Sequence, residues 1–239
     1  VVAADERLPR DLGVAIEGAS LVGARAEAEL SATRFDRWVL KAPFGTAGRN
    51  RLLRRGPPST ADLVWIEKTL AAGEPLLFEP WLDRVEDFGV QGEVDRAGAA
   101  RVLAVTGLDC GPTGVYAGTR IGLPPLDPRL EEVALEAGRA LGALGYHGPY
   151  GVDAFTWRDA GGRTRLRPLV EINARFTMGR LALAFARLLA PGESGHWIHG
   201  PATPLPGDLV TSPETVGGRP PGSGSLFRRR GRPRPSGPW

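Results

Sequence analysis

The stretch Gly145–Arg175 reads GYHGPYGVDAFTWRDAGGRTRLRPLVEINAR, and the reading of the fold starts there. Residues 149–158 alternate around Val152, Ala154 and Thr156. Asp159-Ala160-Gly161-Gly162 supplies turn residues, and the chain returns through Leu166, Leu169, Val170 and Ile172. This pattern predicts a β-hairpin. Its arms carry Asp153, Glu171 and Asn173. Glu171 and Asn173 are two apart on one strand and so share a face. A register that sets residue 153 opposite 171 brings Asp153 to that face, where three oxygen ligands converge with Arg175 close by.

Such a cluster suits a hard divalent cation, Mg²⁺ or Mn²⁺. Mg²⁺ keeps several waters and binds through one or two carboxylates plus substrate phosphates. Taken singly, Asp153 and Glu171 could each be a solvated strand charge. Both interrupt apolar runs, YGVDAF and PLVEIN, where a lone carboxylate is costly to bury. A shared metal accounts for both at once.

At 239 residues the chain fits one large domain or two small ones. Apolar content of 42% and charged content of 24% are ordinary for a globular protein, and no apolar run approaches the ~20 residues of a membrane helix. No signal peptide is visible, and because the chain opens on Val1 a preceding portion is expected. One cysteine, Cys110, excludes an internal disulfide and any multi-cysteine metal site, which fits a cytoplasmic location. The net charge of +3 is unevenly spread. Residues 217–239 hold six arginines and no acid, so removing them leaves −3 on residues 1–216. That mildly acidic body argues against a broad nucleic-acid-binding face, leaving only the tail as a place for one.

In chain order, Ala24–Leu30 reads as a short helix and Arg37–Ala42 as a strand. A loop of small residues follows, Pro43-Phe44-Gly45-Thr46-Ala47-Gly48-Arg49-Asn50, then a second strand at Arg51–Arg54. Backbone N–H groups of such a flap can approach phosphate oxygens, with Lys41 on its inner face and Arg49 at its tip. An ordinary hairpin with solvated charges fits the same residues. Ser59 caps a helix to Ala72, with Asp62 three residues on. Leu76–Phe78 is a short strand ending in Glu79-Pro80-Trp81-Leu82, where Pro80 frees backbone groups beside an acid and a large ring. Further strands are expected at 85–94, 101–106 and 115–121, a helix from Asp127-Pro128 to Leu144, and a helix of Leu181–Leu189 capped by Thr177. His196 and His199 stand three apart with no third ligand, which argues against a metal there. From Gly200 on, Pro and Gly dominate and 217–239 read as disordered.

Four motifs in this order resemble the ATP-grasp superfamily, with a flavour of its carboxylase-like and carbamoyl-phosphate-synthase-like members. They are VLKAP with GTAGRN, FEPWL, GYHGPYGVDAF, and EINAR followed by a helix, together spanning roughly Trp38–Gly179. The resemblance implies an α+β ATP-grasp fold with ATP held between two α+β subdomains. It divides the chain into a remnant of a preceding subdomain (1–36), a lid (37–82), a core with the metal site (83–200) and a largely disordered tail (201–239).

It also implies roles. Lys41 contacts the α- and β-phosphates, and the loop Gly45, Thr46, Ala47, Gly48, Arg49 and Asn50 closes over the γ-phosphate. Glu79 accepts from the adenine amino group, while the backbone of Trp81 and Leu82 reads the ring edge. Glu86 takes the ribose, with Asp83 as rival. Asp153, Glu171 and Asn173 hold Mg²⁺, and Arg175 neutralises the transferring phosphoryl group. Arg10 and Arg25 are candidates for a further basic contact, and Arg120 lies where some members keep one.

The activity implied is that of an ATP- and Mg²⁺-dependent ligase, which activates a small-molecule carboxylate as an acyl-phosphate for attack by an amine or other nucleophile. A non-catalytic nucleotide-binding module and a nucleic-acid-associated protein acting through its Arg-rich tail are the competing readings. No membrane partner is expected.

Overall fold

Period-two patterning in the first third of the chain builds a small sheet. The computed structural model describes residues 9, 12, 14–42, 50–73, 75–111, 115–200, 203–213 and 224–231. Strand β1 (Ser20–Val22) is followed by helix α1 (Arg25–Ala32), β2 (Arg37–Lys41), β3 (Arg51–Arg55), helix α2 (Thr60–Leu70) and β4 (Leu76–Pro80). The strands pair antiparallel in the order β1-β4-β2-β3.

Alternation sends Trp38, Leu40, Leu76 and Phe78 to one face, where they pack with Val22, Ala28, Ala32, Leu52 and Ile66 as a continuous core. The opposite face therefore carries Val39, Lys41, Leu77 and Glu79, since Val39 pairs with Glu79 and Lys41 with Leu77. Helix α2 starts at the expected cap. Ser59 Oγ accepts from the Asp62 N–H at 3.3 Å, and Asp62 Oδ2 accepts from the Ser59 N–H at 2.9 Å. Asp62, 2% exposed, also pairs with Arg54.

A second sheet has the order β11-β12-β10-β7-β6-β5-β8-β9. Its strands are β5 (Asp83–Val94), β6 (Ala100–Cys110), β7 (Tyr116–Ile121), β8 (Gly148–Arg158), β9 (Thr164–Asn173), β10 (Ser194–His199), β11 (Leu209–Val210) and β12 (Ser225–Arg230). Helix α3 (Arg129–Ala143) packs on β6 through a face of Leu130, Val133, Ala134, Ala137 and Leu141. Asp127 caps it, and Gly145 follows its end at φ 82°, a left-handed position suited to glycine. Tyr150 reaches under this helix and donates to the Ala134 carbonyl at 2.9 Å. Gly92 and Gly138 leave room for its ring, which a Cβ at either position would meet at 2.2 and 2.4 Å.

The predicted hairpin is β8–β9. Its turn closes with the Asp159 N–H donating to the Arg163 carbonyl at 2.9 Å, and Gly162 sits at φ 77°. Among the described residues no helix is long and apolar enough to cross a membrane.

The chain forms two compact units, Val1–Val85 with Trp157–Arg167, and Glu86–Thr156 with Pro168–Trp239. Residues 1–36, expected as a remnant, supply β1 and α1 to the first unit, and the hairpin tip also belongs there.

The C-terminal expectation needs correction. Ser225–Arg230 is a strand, not a disordered run, and pairs with β10 and β11. Phe227 is 2% exposed, stacks on Phe185 at 4.7 Å and occupies the space above Gly195. Arg228 is neutralised by Asp208 at 2.7 Å. Two large apolar residues and one paired arginine were hidden within a Pro/Gly/Arg-rich composition. The segment after Thr177 also differs: helix α4 (Met178–Ala182) tightens into a 3₁₀ turn over Leu183–Leu188, against the predicted continuous helix.

Candidate functional site

Two groups of polar side chains stand out, one in each unit. In the first unit, the face opposite the core presents Lys41 and Glu79. Lys41 Nζ lies 2.5 Å from Glu79 Oε2, and Arg167 Nη2 donates to Glu79 Oε1. Glu79 is 2% exposed. Burial alone would raise its pKa, but Lys41 and Arg167 outweigh that and hold it at about 2. Burial pulls the Lys41 ammonium below its ordinary pKa against the attraction of Glu79.

At the hinge beyond β4, the Trp81 N–H donates to the Arg37 carbonyl at 2.9 Å, and the Arg84 guanidinium lies 5.4 Å from the Trp81 ring centroid. Asp83 is exposed and Leu82 half-buried. Gly45, Thr46, Ala47, Gly48 and Arg49 lie outside the described residues, as does Arg10. Asn50 is described, at φ 56°, a left-handed conformation that asparagine tolerates better than most residues. Arg25 is a surface residue paired with Glu29 and Glu67.

In the second unit, Asn173 Nδ2 donates to Asp153 Oδ2 at 3.3 Å, and Arg175 Nη2 donates to Asn173 Oδ1 at 2.9 Å. Asp153, Asn173 and Arg175 thus form one hydrogen-bonded row. Glu171 lies two residues before Asn173 on β9, half-buried, and makes no hydrogen bond or ion pair among the described residues. A half-buried carboxylate without a partner is a costly arrangement unless something cationic joins it. Two carboxylates and an amide oxygen are hard donors, so the residue set fits Mg²⁺. Among the described residues no three or more His, Cys, Asp or Glu cluster as a metal site, His196 and His199 included.

A buried network fixes the segment just after Arg175. Thr177 caps α4 and donates to Gln91 Oε1 at 2.5 Å, Gln91 Nε2 donates to Thr106 Oγ1 at 3.3 Å, and Thr106 donates to the Gly89 carbonyl at 2.8 Å. Gly179 admits the Gln91 amide, which a Cβ there would meet at 2.2 Å.

A second polar row crosses the sheet. Arg120 donates to Glu86 at 2.8 Å and to Asp109 at 3.0 Å, and His196 Nε2 lies 2.6 Å from Asp109 Oδ2. His196, then Arg120, hold the Asp109 carboxyl below its ordinary pKa against burial. Gly107 and Gly118 let these side chains lie flat, since a Cβ would come within 2.7 Å of the Arg120 guanidinium and 2.9 Å of His196 Nε2.

Sequence reasoning missed Arg167, Gln91 and the Asp109–His196 contact. Arg167 carried the same signal that marked Asp153 and Glu171, a charge interrupting an apolar strand. Gln91 and His196 carried none, because their partners lie far away in sequence.

No protein-family model matches the sequence, and no curated protein does. Solved structures do. The N5-carboxyaminoimidazole ribonucleotide synthetase of Thermus thermophilus superposes with a TM-score of 0.61 at 16% identity, over 95% of this chain and 66% of that one. The biotin carboxylase domain of Hydrogenobacter thermophilus 2-oxoglutarate carboxylase, solved with MgADP, ADP and bicarbonate, gives 0.61 at 14% identity over 93% and 60%. Rhizobium etli pyruvate carboxylase gives 0.65 at 16% identity over 95% and 25%. The chain therefore spans between a quarter and two thirds of the lengths of these proteins. At such identities the likeness bears on the fold alone.

Proposed function

We propose, from the ATP-grasp fold that this chain adopts, that it is an ATP- and Mg²⁺-dependent ligase. In this reading a carboxylate oxygen of the substrate attacks the γ-phosphorus of ATP and ADP leaves. An amine or other nucleophile then attacks the acyl-phosphate carbon and expels phosphate. The observation that carries the reading is Glu171, a half-buried carboxylate without a partner among the described residues, two positions before Asn173 in the Asp153–Asn173–Arg175 row.

Each group has a task suited to its chemistry. Lys41 neutralises charge on the α- and β-phosphates. The Trp81 N–H is spent on Arg37, so the adenine ring edge falls to the Trp81 carbonyl and the Leu82 N–H. Asp153 and Glu171 would hold Mg²⁺, joined by the amide oxygen of Asn173 once Arg175 turns from it to the phosphates, and the ion would supply charge neutralisation there when bound. Arg175, held beside Asn173 before the ligand binds, neutralises the phosphoryl group in transfer. Glu86 takes the ribose hydroxyls and is oriented for it by Arg120.

Calorimetric titration of ATP with and without Mg²⁺, on this chain and on Glu171→Ala, tests the reading. Mg²⁺-dependent binding that the substitution abolishes supports it, and carboxylate-dependent ADP release separates a ligase from a non-catalytic nucleotide-binding module. Equal binding by both proteins, or none by the folded wild type, would sink it.

A further inference from the structure

The acid at the end of β4 is shared by two cations. Lys41 Nζ and Arg167 Nη2 each take one oxygen of Glu79, and all three residues belong to the same unit. The side chains of Lys41, Glu79 and Arg167 are 26%, 3% and 10% exposed. Beyond burial, Arg167 and Arg84 both add to the positive field at Lys41 and lower its pKa further.

The two cations are not equivalent. Arg167 is the more buried, always charged, and offers a planar fork of donors to a carboxylate. Lys41 is a point charge on a flexible four-carbon stem, more exposed, and its ammonium is the one that desolvation weakens. If Lys41 were the sole partner of Glu79, moving its ammonium to another anion would strand a buried carboxylate, which is strongly destabilising. With Arg167 in place, Glu79 keeps a partner throughout.

We infer that Arg167 is a positioning residue that holds Glu79 so that Lys41 can turn from Glu79 to the phosphates of a bound nucleotide. The inference rests on the nucleotide-binding reading above and adds to it a residue that lies outside the four motifs of the resemblance. Arg167 itself need not touch the ligand. Its effect passes through Lys41 and should be felt only by ligands that carry phosphates.

That last property gives the test. Dissociation constants for ADP and for adenosine, both without Mg²⁺, are measured on the full chain and on Arg167→Met, Arg167→Lys and Lys41→Met. The ratio of the adenosine constant to the ADP constant reads what the phosphates gain. In Arg167→Met, Lys41 becomes the only cation on Glu79, and the ratio is expected to fall by about tenfold, ~1.4 kcal/mol, with adenosine affinity unchanged. Arg167→Lys keeps a cation on Glu79 and should stay within about twofold of wild type. Lys41→Met, which leaves a neutral Glu79–Arg167 pair, should lower the ratio at least as far as Arg167→Met, and it decides the matter if Arg167→Met does not fold. A merely structural role for Arg167 would weaken both ligands together and leave the ratio alone. Wild-type nucleotide binding with an unchanged ratio in Arg167→Met, or in Lys41→Met, overturns this inference and leaves the proposed function standing. A folded wild type that binds neither ADP nor ATP overturns both.

Discussion

The charges around Glu79 and those around Glu171 are handled in opposite ways. Both acids sit on strands among apolar neighbours. Glu79 is 2% exposed and engaged on both oxygens, whereas Glu171 is half-buried and has no partner among the described residues. A carboxylate answered by two cations is held in its ionised form and ties strands together. A carboxylate left without a partner contributes little to folding and stays available to a cation from solution. The difference separates a charge built into the fold from one that, on the proposed function, is left for a ligand, and it predicts that the two acids respond oppositely to removal.

The largest expected effect is on the Glu79 side. Glu79→Ala would leave Lys41 and Arg167 facing each other without their shared anion, and such a rupture typically costs ~3–5 kcal/mol. Urea denaturation of the two proteins would read this directly. A loss below about 1 kcal/mol would mean that the two cations find other partners, and the contrast with Glu171 would lose its basis.

The same contrast has a pH signature. Glu79 titrates at about 2 in the folded chain against an ordinary 4.5. The folded pKa is depressed, so the stabilisation is fully present above the unfolded value and is lost as pH falls from about 4.5 toward 2. In Arg167→Met the carboxylate keeps only Lys41, its depression is smaller, and the acid limb of the stability curve should be shallower than in wild type. Parallel limbs would show that Arg167 contributes little to holding Glu79 ionised.

How much of this was legible in the sequence depends on how far apart the partners lie. The β8–β9 hairpin, the Ser59–Asp62 cap, the Asp127 cap and the alternation that turns Lys41 away from the core all rest on residues within a few positions of one another. Local propensity and period suffice there. The order of motifs carried the ATP-grasp fold, which the solved structures share. The partners of Glu79 were another matter. Lys41 lies 38 positions away and Arg167 lies 88 away, and only the folded sheet brings them together. The tail failed for a different reason. Averaging composition over 217–239 buried the signal of Leu226 and Phe227, whose packing against Phe185 and Gly195 makes Ser225–Arg230 a strand.

Between the two acids in expected effect lies the neutral network at Gln91. Gln91→Leu keeps the volume but removes the acceptor for Thr177 and the donor to Thr106. Thr106 keeps its Gly89 acceptor, so the loss falls on the half-buried Thr177 hydroxyl, at the low end of the range, about 1–3 kcal/mol, that an unmade buried hydrogen bond costs. Because Thr177 follows Arg175 by two residues, loosening this cap should also lower nucleotide affinity in the presence of Mg²⁺. A variant equally unstable but with wild-type affinity would show that the network serves the core alone.

The smallest effect on stability, and the one that sharpens the comparison most, belongs to Glu171→Ala. With no hydrogen bond or ion pair to lose among the described residues, the substitution should change unfolding free energy by no more than about 0.5 kcal/mol, and removing a half-buried charge without a partner there gives it reason to stabilise. Adding Mg²⁺ to the wild type should raise its melting temperature, because a cation that binds only the folded chain stabilises it by mass action. The same addition should leave Glu171→Ala unmoved. A destabilised variant would mean that Glu171 already has a structural partner. A variant still stabilised by Mg²⁺ would move the cation to other oxygens. A stable variant blind to Mg²⁺ would leave Glu171 with one role, the ligand that the fold does not use for itself.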